Sequence, residues 1–555
     1  MNDSVEIYCK NNNTNISVEK GSTLLEIYEA SGVKLSNPVL CAIVNNRTEG
    51  LEYRVYNPKK IEFIDLTSPY GMRTYVRTLC LVLYKAVHDI MPEAKLRIEH
   101  SISKGYFCLL SQKAGESTIM RIKERMQEII AEDIPIKRAE IDTKRLILEF
   151  RRRGMKDKVK LLATAHSLYS VYYTLDDVID TYQYELAPST GYLSAFDFVK
   201  YSYGYLLIPP SEEEPSKPSP VKRQDKLLGA FEEQTRFNDI AGLQNIGEMN
   251  IAIKKGHAPI MIKVMEALHE KQIARIADEI ANRFRIDGSS RVILIAGPSS
   301  SGKTTFSKRL SVQLLTNLLV PVALSLDNYF VERVNTPRDE SGDYDYESIH
   351  ALDLELFNRD LNDLLAGKEI KVPTYNFESG TRTYRGDKLK LIPSSILILE
   401  GIHALNPELT AHINEDLKFR IYVSALTSIS VDDHNWIPTT DNRLLRRIIR
   451  DSKYRGSSAK DTIARWNSVR RGEEKWIFPY QEKADAMFNT SLIFELAVIC
   501  RRAIPLLSDV PRDADEYNEA KRLLNFLELF TPIQERDIPP TSLAREFLGG
   551  SSFRY

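Results

Sequence analysis

Apolar residues recur with two different periods along the chain, and the changes of period separate its sections. Across residues 1–65, short alternating segments such as VEIYC end in Asn or Gly, which predicts a compact β-rich unit with one short helix. Residues 66–208 combine helical spacing, as in TYVRTLCLVLYKAVHDI, with the hairpin pattern of IEHSISKGYFCLL. These residues are therefore predicted to form an α+β domain.

The next two sections differ in composition from those before them. Residues 209–226 are rich in Pro, Ser and charged residues, which is typical of a linker. Residues 227–285 carry helical spacing throughout and predict a helical connector. The same spacing returns over residues 501–555 and predicts a helical C-terminal extension.

Three short apolar runs in residues 286–500 predict buried strands of a parallel sheet. They are Arg291–Ala296, Val320–Leu326 and Ser394–Leu399, and each is too short and too apolar for a surface helix. Helical patterns between them predict helices on the faces of this sheet. The predicted fold class is α/β, with a parallel sheet flanked by helices.

A phosphate-binding loop follows the first of these strands. Residues 297–304, GPSSSGKT, match the pattern GxxxxGK[ST], and apolar residues then recur every four positions as on a helix. Glycines let the backbone turn its N–H groups towards phosphates, Lys303 reaches the β- and γ-phosphates, and the Thr304 hydroxyl can bind Mg²⁺. The predicted ATP-binding residues here are Gly297, Pro298, Ser299, Ser300, Ser301, Gly302, Lys303, Thr304 and Thr305.

Acidic residues follow the other two strands. Asp327 comes after the second strand and could accept the proton of an attacking hydroxyl. Glu400 ends the third and suits a Mg²⁺-binding role with Thr304 and Asp327. Because parallel strands bring their carboxyl ends to one edge, we expect both acids at the mouth of the same site.

An arginine-rich segment, RLLRRIIRD, predicts a lid helix. Arg443, Arg446, Arg447 and Arg450 stand three or four residues apart and share roughly one helical face. Guanidinium groups suit the oxygens of a transferring phosphoryl group. A mobile lid would also exclude water from the reaction.

Residues 292–495 resemble the uridine kinase/phosphoribulokinase family of P-loop kinases. The resemblance lies in the phosphate loop, in the segments DNYF, VPTYNF and LEGI, and in the lid arginines. It implies an ATP- and Mg²⁺-dependent kinase with Asp327 as base and Lys303, Arg447 and Arg450 as further catalytic residues. It also implies that Arg455 contacts ATP. The implied acceptor-binding residues are Tyr329, Glu347, Tyr375, Phe377 and Arg447. Asp345 takes the place of Glu347 if the register of the resemblance shifts by two residues.

Two positions depart from the uridine kinase pattern. Gly380 stands where that family has a histidine that reads the pyrimidine, and Ser457 stands where it has an arginine near the base. A site loses discrimination when its hydrogen-bonding groups change. The sequence thus favours a kinase more strongly than it favours uridine as the acceptor.

The N-terminal sections resemble two modules of threonyl-tRNA synthetase. Residues 1–65 are similar to the ubiquitin-like TGS domain, a β-grasp fold, and residues 66–208 to the second additional domain of that enzyme. In that family the second module binds zinc through an HxxxH pair and a later Cys/His pair. Here His88, His100 and His166 have no histidine four residues away, so we expect no such zinc site.

Composition excludes several other classes of protein. The formal net charge is -1, which gives no global sign of a nucleic-acid binder. The five cysteines form no CxxC pair, which favours a reducing compartment. No signal peptide or membrane-spanning run is present, so a cytoplasmic protein without membrane contact is expected.

The sequence leaves three functional hypotheses open. The first is a kinase for a nucleoside 5′-hydroxyl, such as that of uridine or cytidine. A second is a kinase for another hydroxylated metabolite, such as a sugar phosphate. The third is an ATP-binding regulator that contacts tRNA or the ribosome through residues 1–209, which the complete acceptor-side base and arginine lid argue against. Oligomerisation is possible under each.

Overall fold

The N-terminal unit is a mixed five-stranded sheet crossed by one helix. The structure, a computed structural model, describes residues 4–338, 342, 344–376 and 379–554. The strands lie in the order β2-β1-β5-β3-β4, and β1 and β5 are parallel. The elements are β1 Ser4–Cys9, β2 Thr14–Glu19, α1 Leu24–Ser31, β3 Cys41–Val44, β4 Thr48–Glu49 and β5 Lys59–Ile64.

The second unit contains two antiparallel sheets and four helices. One sheet has the order β11-β12-β7-β6 and the other β10-β9-β8. The assignment of this unit and the first to known domain families stays a prediction. The elements are α2 Pro69–Ile90, β6 Leu96–Ile102, β7 Gly105–Leu110, α3 Glu116–Ala131, β8 Lys137–Asp142, α4 Thr143–Arg152, α5 Lys156–Thr164, β9 Tyr169–Leu175, β10 Val178–Asp180, β11 Asp197–Tyr201 and β12 Gly204–Ile208.

The helix α2 shows how local sequence sets an element of this unit. Ser68 caps its start by accepting a hydrogen bond from the Tyr70 backbone N–H, and Pro69 occupies the first turn, where no donor is lost. Apolar residues along the helix are almost all buried against the neighbouring sheet. Helical spacing in the sequence therefore identified it correctly.

Three helices connect the second unit to the α/β domain. The segment before them runs along the protein surface, with a β-bridge between Pro210 and Pro218. The helices are α6 Asp225–Ala241, α7 Ile246–Lys254 and α8 Ala258–Asp287. Among the residues that the structure describes, no helix combines the length and apolar composition needed to cross a membrane.

The α/β domain is built on a five-stranded sheet in the order β14-β19-β13-β20-β23, with every pairing parallel. Its large elements are β13 Val292–Ala296, α9 Lys303–Thr316, β14 Val320–Ser325, α10 Leu354–Leu365, β19 Ser395–Glu400, β20 Lys418–Ser424, α11 Thr439–Arg455, α12 Ala459–Trp476 and β23 Ala486–Asn489. Three short ladders accompany it: β15 Ile370–Lys371 with β18 Lys388–Leu389, β16 Thr374–Asn376 with β17 Thr381–Thr383, and β21 Ser430–Asp432 with β22 Asn435–Trp436. The predicted α/β fold, a parallel sheet flanked by helices, is confirmed for this domain.

Both faces of the sheet are buried, as the unbroken apolar runs predicted. Ile293 and Ile295 pack on one face with Phe306 of α9, whereas Val292 and Leu294 pack on the other with Phe357 of α10. The alternation follows from the two-residue period of a strand. Because both faces need apolar residues, polar functional groups are left to the strand ends.

The C-terminal extension returns to contact several earlier parts of the chain. It contains α13 Glu495–Ser508, α14 Tyr517–Leu527 and the short helix α15 Arg545–Leu548. Asn518 accepts a hydrogen bond from the Thr48 N–H of the first unit (3.0 Å). The extension is thus an integral part of the packing rather than an independent tail.

A buried charge network joins the second unit to the α/β domain. The Lys158 ammonium lies 2.5 Å from Asp180 and 3.0 Å from Asp432, and all three side chains are almost fully buried. His434 Nδ1 contacts the other oxygen of Asp180 at 2.6 Å. One ammonium therefore bridges two carboxylates that come from different domains, and His434 is a second partner of Asp180.

We expect Lys158→Met to destabilise the protein strongly. Removing the ammonium leaves Asp180 and Asp432 buried without their cation, which costs about 3–5 kcal/mol in comparable buried pairs. Urea unfolding followed by circular dichroism measures the change. Lys217→Met, which removes an exposed cation near Glu214, is the control and should change the free energy of unfolding by less than about 1 kcal/mol. Equal stability of the two variants would contradict the assigned role.

Candidate active site

The phosphate loop connects the central strand β13 to α9. A Cβ atom at Gly297 would lie 1.9 Å from the Val423 carbonyl oxygen of the neighbouring strand, so no other residue fits there without moving the backbone. Gly302 has φ +85° immediately before α9 begins, a conformation that favours glycine. Both glycines of the motif are therefore required by geometry as well as by phosphate approach.

Lys303 points back over this loop. Its ammonium donates hydrogen bonds to the carbonyl oxygens of Gly297 (2.8 Å) and Pro298 (3.1 Å). Burial lowers the pKa of this lysine, and the carboxylates of Glu400 and Glu546 oppose that effect. The loop thus carries a cation whose field is directed at the position where phosphates would bind.

Thr304 and Glu400 form a pair suited to Mg²⁺. The Thr304 hydroxyl donates a hydrogen bond to Glu400 Oε1 at 2.8 Å, at the carboxyl end of β19. Burial raises the pKa of Glu400, while Lys303 and the Thr304 hydrogen bond lower it. A hydroxyl and a carboxylate oxygen side by side are hard oxygen donors of the kind Mg²⁺ prefers, so the residues present fit this ion.

Asp327 lies at the same edge of the sheet. It follows β14 in a short turn, where its N–H donates to the Ser325 hydroxyl oxygen at 3.3 Å. The surrounding protein raises the pKa of Asp327 by desolvation, and the charges of Lys303 and Arg455 oppose this shift. The residue is exposed to solvent at this edge, and the raised pKa of its carboxyl suits a base.

The five arginines of α11 divide into two groups with different surroundings. Arg447 donates to the Ser299 hydroxyl oxygen of the phosphate loop at 2.8 Å and also pairs with Asp451. Arg450 and Arg455 pair with the same aspartate, at 3.2 and 3.4 Å. These three guanidinium groups form the part of the helix that can reach a ligand on the loop.

Arg443 and Arg446 are instead buried and hold the loop in place. Arg443 binds Glu473 through both terminal nitrogens and donates to the Ser299 carbonyl oxygen (3.2 Å). Arg446 binds both carboxylate oxygens of Glu495 through Nε and Nη2, and its Nη1 donates to the Ser300 carbonyl oxygen (3.3 Å). Both are at most 1% exposed, so their role is structural rather than that of a mobile lid.

Two glutamates that contact the phosphate loop and the first turn of α9 were not predicted from the sequence. Glu473 of α12 also accepts a hydrogen bond from the Ser299 N–H at 3.0 Å. Glu546 of α15 accepts hydrogen bonds from the Thr305 N–H (3.0 Å) and hydroxyl (2.7 Å). Neither residue lies in a motif, and both are over 170 positions away from their partners, so no local signal could have identified them.

The predicted acceptor-binding residues have different positions in the structure. Glu347 lies near Arg447 and Lys303, which oppose the rise of its pKa caused by burial. The Tyr375 ring lies 5.5 Å from the ring of Phe330, tilted by 37°, and the residue is 7% exposed. Glu347 is thus near two cations of the candidate site, whereas Tyr375 is packed against the residue three positions after Asp327. Phe377 falls outside the described residues.

Tyr329 does not have the predicted position. Its ring is fully buried against Phe357, and its hydroxyl donates to Asp360 at 3.2 Å. The side chain points into the core because the short turn after β14 directs Asp327 and Tyr329 to opposite sides. This residue packs the domain and does not line the acceptor side.

Gly380 is one of the departures from the uridine kinase pattern. The local backbone and the neighbouring Arg333 leave no room for a side chain at this position. It has φ +70°, and a Cβ atom there would lie 2.7 Å from Cβ of Arg333. The Arg333 N–H donates to the Gly380 carbonyl oxygen (2.9 Å), and its Nε donates to the Tyr346 hydroxyl (3.1 Å). Arg333 thus occupies the space next to the position of the missing side chain. Ser457 follows α11, where its N–H donates to the Asp451 carbonyl oxygen (3.2 Å).

Two of the three histidines considered for zinc have other partners. His100 stacks on Phe231 with ring centroids 3.7 Å apart, and burial lowers its pKa to about 3. His88 lies near Asp89 and Asp177, but the Lys85 ammonium is 2.6 Å from the first carboxylate and 2.8 Å from the second. A metal ion there would have to displace that ammonium.

One part of the chain is similar to proteins of a known family. Residues 292–493 match the model of the Phosphoribulokinase / Uridine kinase family. The uridine kinase of Halobacterium salinarum is 30% identical over 198 residues, which cover 35% of this chain and 78% of that protein. The uridine kinase of Staphylococcus aureus strain JH9 is 31% identical over 198 residues, covering 36% of this chain and 86% of that protein.

Two solved structures are similar to part of this chain. A possible uridine kinase from Bacillus stearothermophilus is 20% identical and covers 38% of this chain and 97% of that chain, with a TM-score of 0.26. The D-glycerate 3-kinase from Cryptococcus neoformans is 13% identical and covers 48% of this chain and 89% of that chain, with a TM-score of 0.22. The sequence relatives, matched over most of their own length, decide the assignment: this chain belongs to the phosphoribulokinase/uridine kinase family.

Proposed function

We propose that the protein is an ATP- and Mg²⁺-dependent small-molecule kinase that phosphorylates the 5′-hydroxyl of a nucleoside. The observation that carries this proposal is the Thr304–Glu400 pair beside Lys303, with Asp327 at the same edge of the sheet. A phosphate loop alone would also suit a nucleotide hydrolase. The added acid on the acceptor side favours transfer to a hydroxyl.

Each residue has one task under this proposal. The loop N–H groups and Lys303 bind the phosphates of ATP, and Thr304 and Glu400 hold Mg²⁺, which would neutralise charge on the phosphates. Asp327 accepts the proton from the acceptor hydroxyl. Arg447, with Arg450, stabilises the charge on the phosphoryl oxygens as transfer proceeds. Arg455 would contact ATP at the end of the same helix.

Aromatic and acidic side chains support a nucleoside as acceptor. Phe330 is the centre of an aromatic cluster: its ring centroid lies 6.2 Å from that of Tyr346 and 5.5 Å from that of Tyr375. Phe330 is only three residues after Asp327 in the sequence. Flat rings of this kind can stack on a base. Glu347, in the same region, is suited to bind ribose hydroxyls.

A sugar phosphate is a second candidate acceptor, and one observation favours it. Arg333 lies against Gly380 and contacts Tyr346, so a guanidinium group stands where the family resemblance places a base-reading histidine. Guanidinium groups bind phosphate well. A kinase with this acceptor would ignore nucleosides in the experiment below.

We expect nucleoside-dependent ADP release from the wild-type protein and its loss in Asp327→Asn. The amide keeps the shape of the side chain but cannot take a proton, and loss of a general base reduces kcat by about 10²–10⁴-fold. The measurement is ADP release and phosphorylated product with ATP-Mg²⁺ and a panel of nucleosides and sugar phosphates. Asp387→Asn, on a surface loop, is the control. Turnover of Asp327→Asn at the wild-type rate would remove Asp327 from the mechanism.

The pH profile should report the raised pKa of Asp327. The base must be ionised, so kcat/KM falls as pH decreases through its pKa, and desolvation places that fall above the ordinary aspartate value of about 4. Arg455 lowers this pKa, so Arg455→Met should move the acidic limb to higher pH. Rates measured between about pH 4.5 and 8 test this. A shift to lower pH would show that another group controls the limb.

The two groups of arginines should respond differently to substitution. Arg447→Met should lower kcat by about 10²–10³-fold with little change in stability, because its guanidinium is partly exposed at the loop. Arg446→Met should lower the free energy of unfolding by about 3–5 kcal/mol, because Glu495 would be left buried and unpaired. Thermal unfolding and turnover are measured for both, with Arg465→Met as the exposed control. If Arg447→Met loses stability and Arg446→Met does not, Arg447 is the structural arginine and Arg446 is not.

A further inference from the structure

A carboxylate from the C-terminal extension is bound at the first turn of α9. Glu546 Oε2 accepts hydrogen bonds from both the backbone N–H and the hydroxyl of Thr305, at 3.0 and 2.7 Å. Thr305 is fully buried beneath this contact. The donor pair directly follows Lys303 and Thr304, so Glu546 lies within the phosphate site.

These donors have a defined use in a phosphate loop. N–H groups of the loop and of the first helical turn after it face the nucleotide phosphates, and the positive end of the helix dipole favours an anion there. A carboxylate is an anion with the same hydrogen-bonding capacity as two phosphate oxygens. Glu546 therefore uses a donor that the nucleotide phosphates would also require.

The charges around the contact support this interpretation. Burial lowers the pKa of Lys303 and of Arg450, and the carboxylate of Glu546 opposes the lowering in both. Glu546 thus compensates part of the positive charge that would otherwise attract phosphate. It also lies near the carboxylate of Glu400, whose pKa it helps to raise.

Side chains, rather than regular secondary structure, hold this segment on the loop. Phe547 is fully buried, with the Arg446 guanidinium 4.9 Å above its ring, and the Lys453 ammonium donates to the Leu548 carbonyl oxygen at 2.7 Å. Leu543 packs in the apolar cluster that contains Phe306 of α9. The segment therefore touches both α9 and α11, the two helices that carry the site.

We propose that residues 542–549 form an autoinhibitory plug in which the Glu546 carboxylate must leave Thr305 before nucleotide binds. The inference rests on the proposed function, because it assumes that Gly297–Thr304 binds a nucleotide. The phosphates of ATP carry more charge than one carboxylate and compete for the same donors. Nucleotide affinity in this protein is therefore lowered by a group of its own chain.

The test measures ADP-Mg²⁺ binding by isothermal titration calorimetry on the full-length wild-type chain, Glu546→Ala and Glu546→Gln. Glu528→Ala, which removes an exposed carboxylate of the same extension, is the matched control. A hydrogen bond to a charged group contributes enough that Glu546→Ala should bind ADP about tenfold more tightly. Glu546→Gln should show a smaller gain in the same direction, and Glu528→Ala none.

Each outcome decides between defined alternatives. Unchanged or weaker binding by both Glu546 variants, with wild-type binding intact, overturns the plug and leaves the proposed function in place. Absence of binding by every protein at millimolar ADP overturns the proposed function itself, and the plug with it. If neither variant retains the wild-type circular dichroism spectrum, hydrogen exchange of the wild-type chain decides. Faster exchange of amides 543–549 with ADP-Mg²⁺ supports the plug, and unchanged or slower exchange overturns it.

Discussion

The site depends on two buried guanidinium groups that hold the phosphate loop from behind. A loop that turns its N–H groups towards phosphates leaves carbonyl oxygens directed into the protein, where they need donors. Arg443 and Arg446 supply them, to Ser299 and Ser300 respectively. Buried cations in turn need anions, which is why Glu473 and Glu495 lie within hydrogen-bond distance of them. The loop conformation is therefore fixed by ion pairs from α11, α12 and α13.

The same helix α11 connects the loop to the rest of the molecule. The hairpin that precedes it carries Asp432, which shares the buried Lys158 with Asp180 of the second unit. At its start, Asp441 binds Arg522 of α14 through both carboxylate oxygens. A change in the packing of the N-terminal units would thus act on the helix whose arginines reach the loop. Asp327, which lies in the turn after the outermost strand β14, is outside this chain of contacts.

Local signals were sufficient where one segment determines its own structure. The apolar runs that form β13, β14 and β19, the glycine pattern of the loop and the spacing of α11 each depend on a few neighbouring residues. Acids at the ends of parallel strands followed from the topology, because such strands end at one edge. That reasoning places Asp327 and Glu400 beside Lys303, where the structure has them.

Contacts between residues that are distant in the sequence could not be predicted from local patterns. Helical spacing puts Arg443, Arg446, Arg447 and Arg450 on one face, but only the distant Glu473 and Glu495 determine which of them are buried. Tyr329 illustrates the same limit, since its burial depends on how α10 packs over the turn after β14. Alternation within one segment cannot specify a partner on another.

The balance of charge explains why a site built for anions contains so many carboxylates. Lys303, Arg447 and Arg450 would repel one another and bind solvent anions if they stood alone. Glu400, Asp451 and Glu546 lie among them and oppose that charge. Two of these acids keep useful roles when phosphates arrive, since Glu400 can bind Mg²⁺ and Asp451 orients the arginines. Glu546 has no such role, because its carboxylate binds the donors that the phosphates need. As the proposed plug, it stabilises the protein without nucleotide and opposes nucleotide binding.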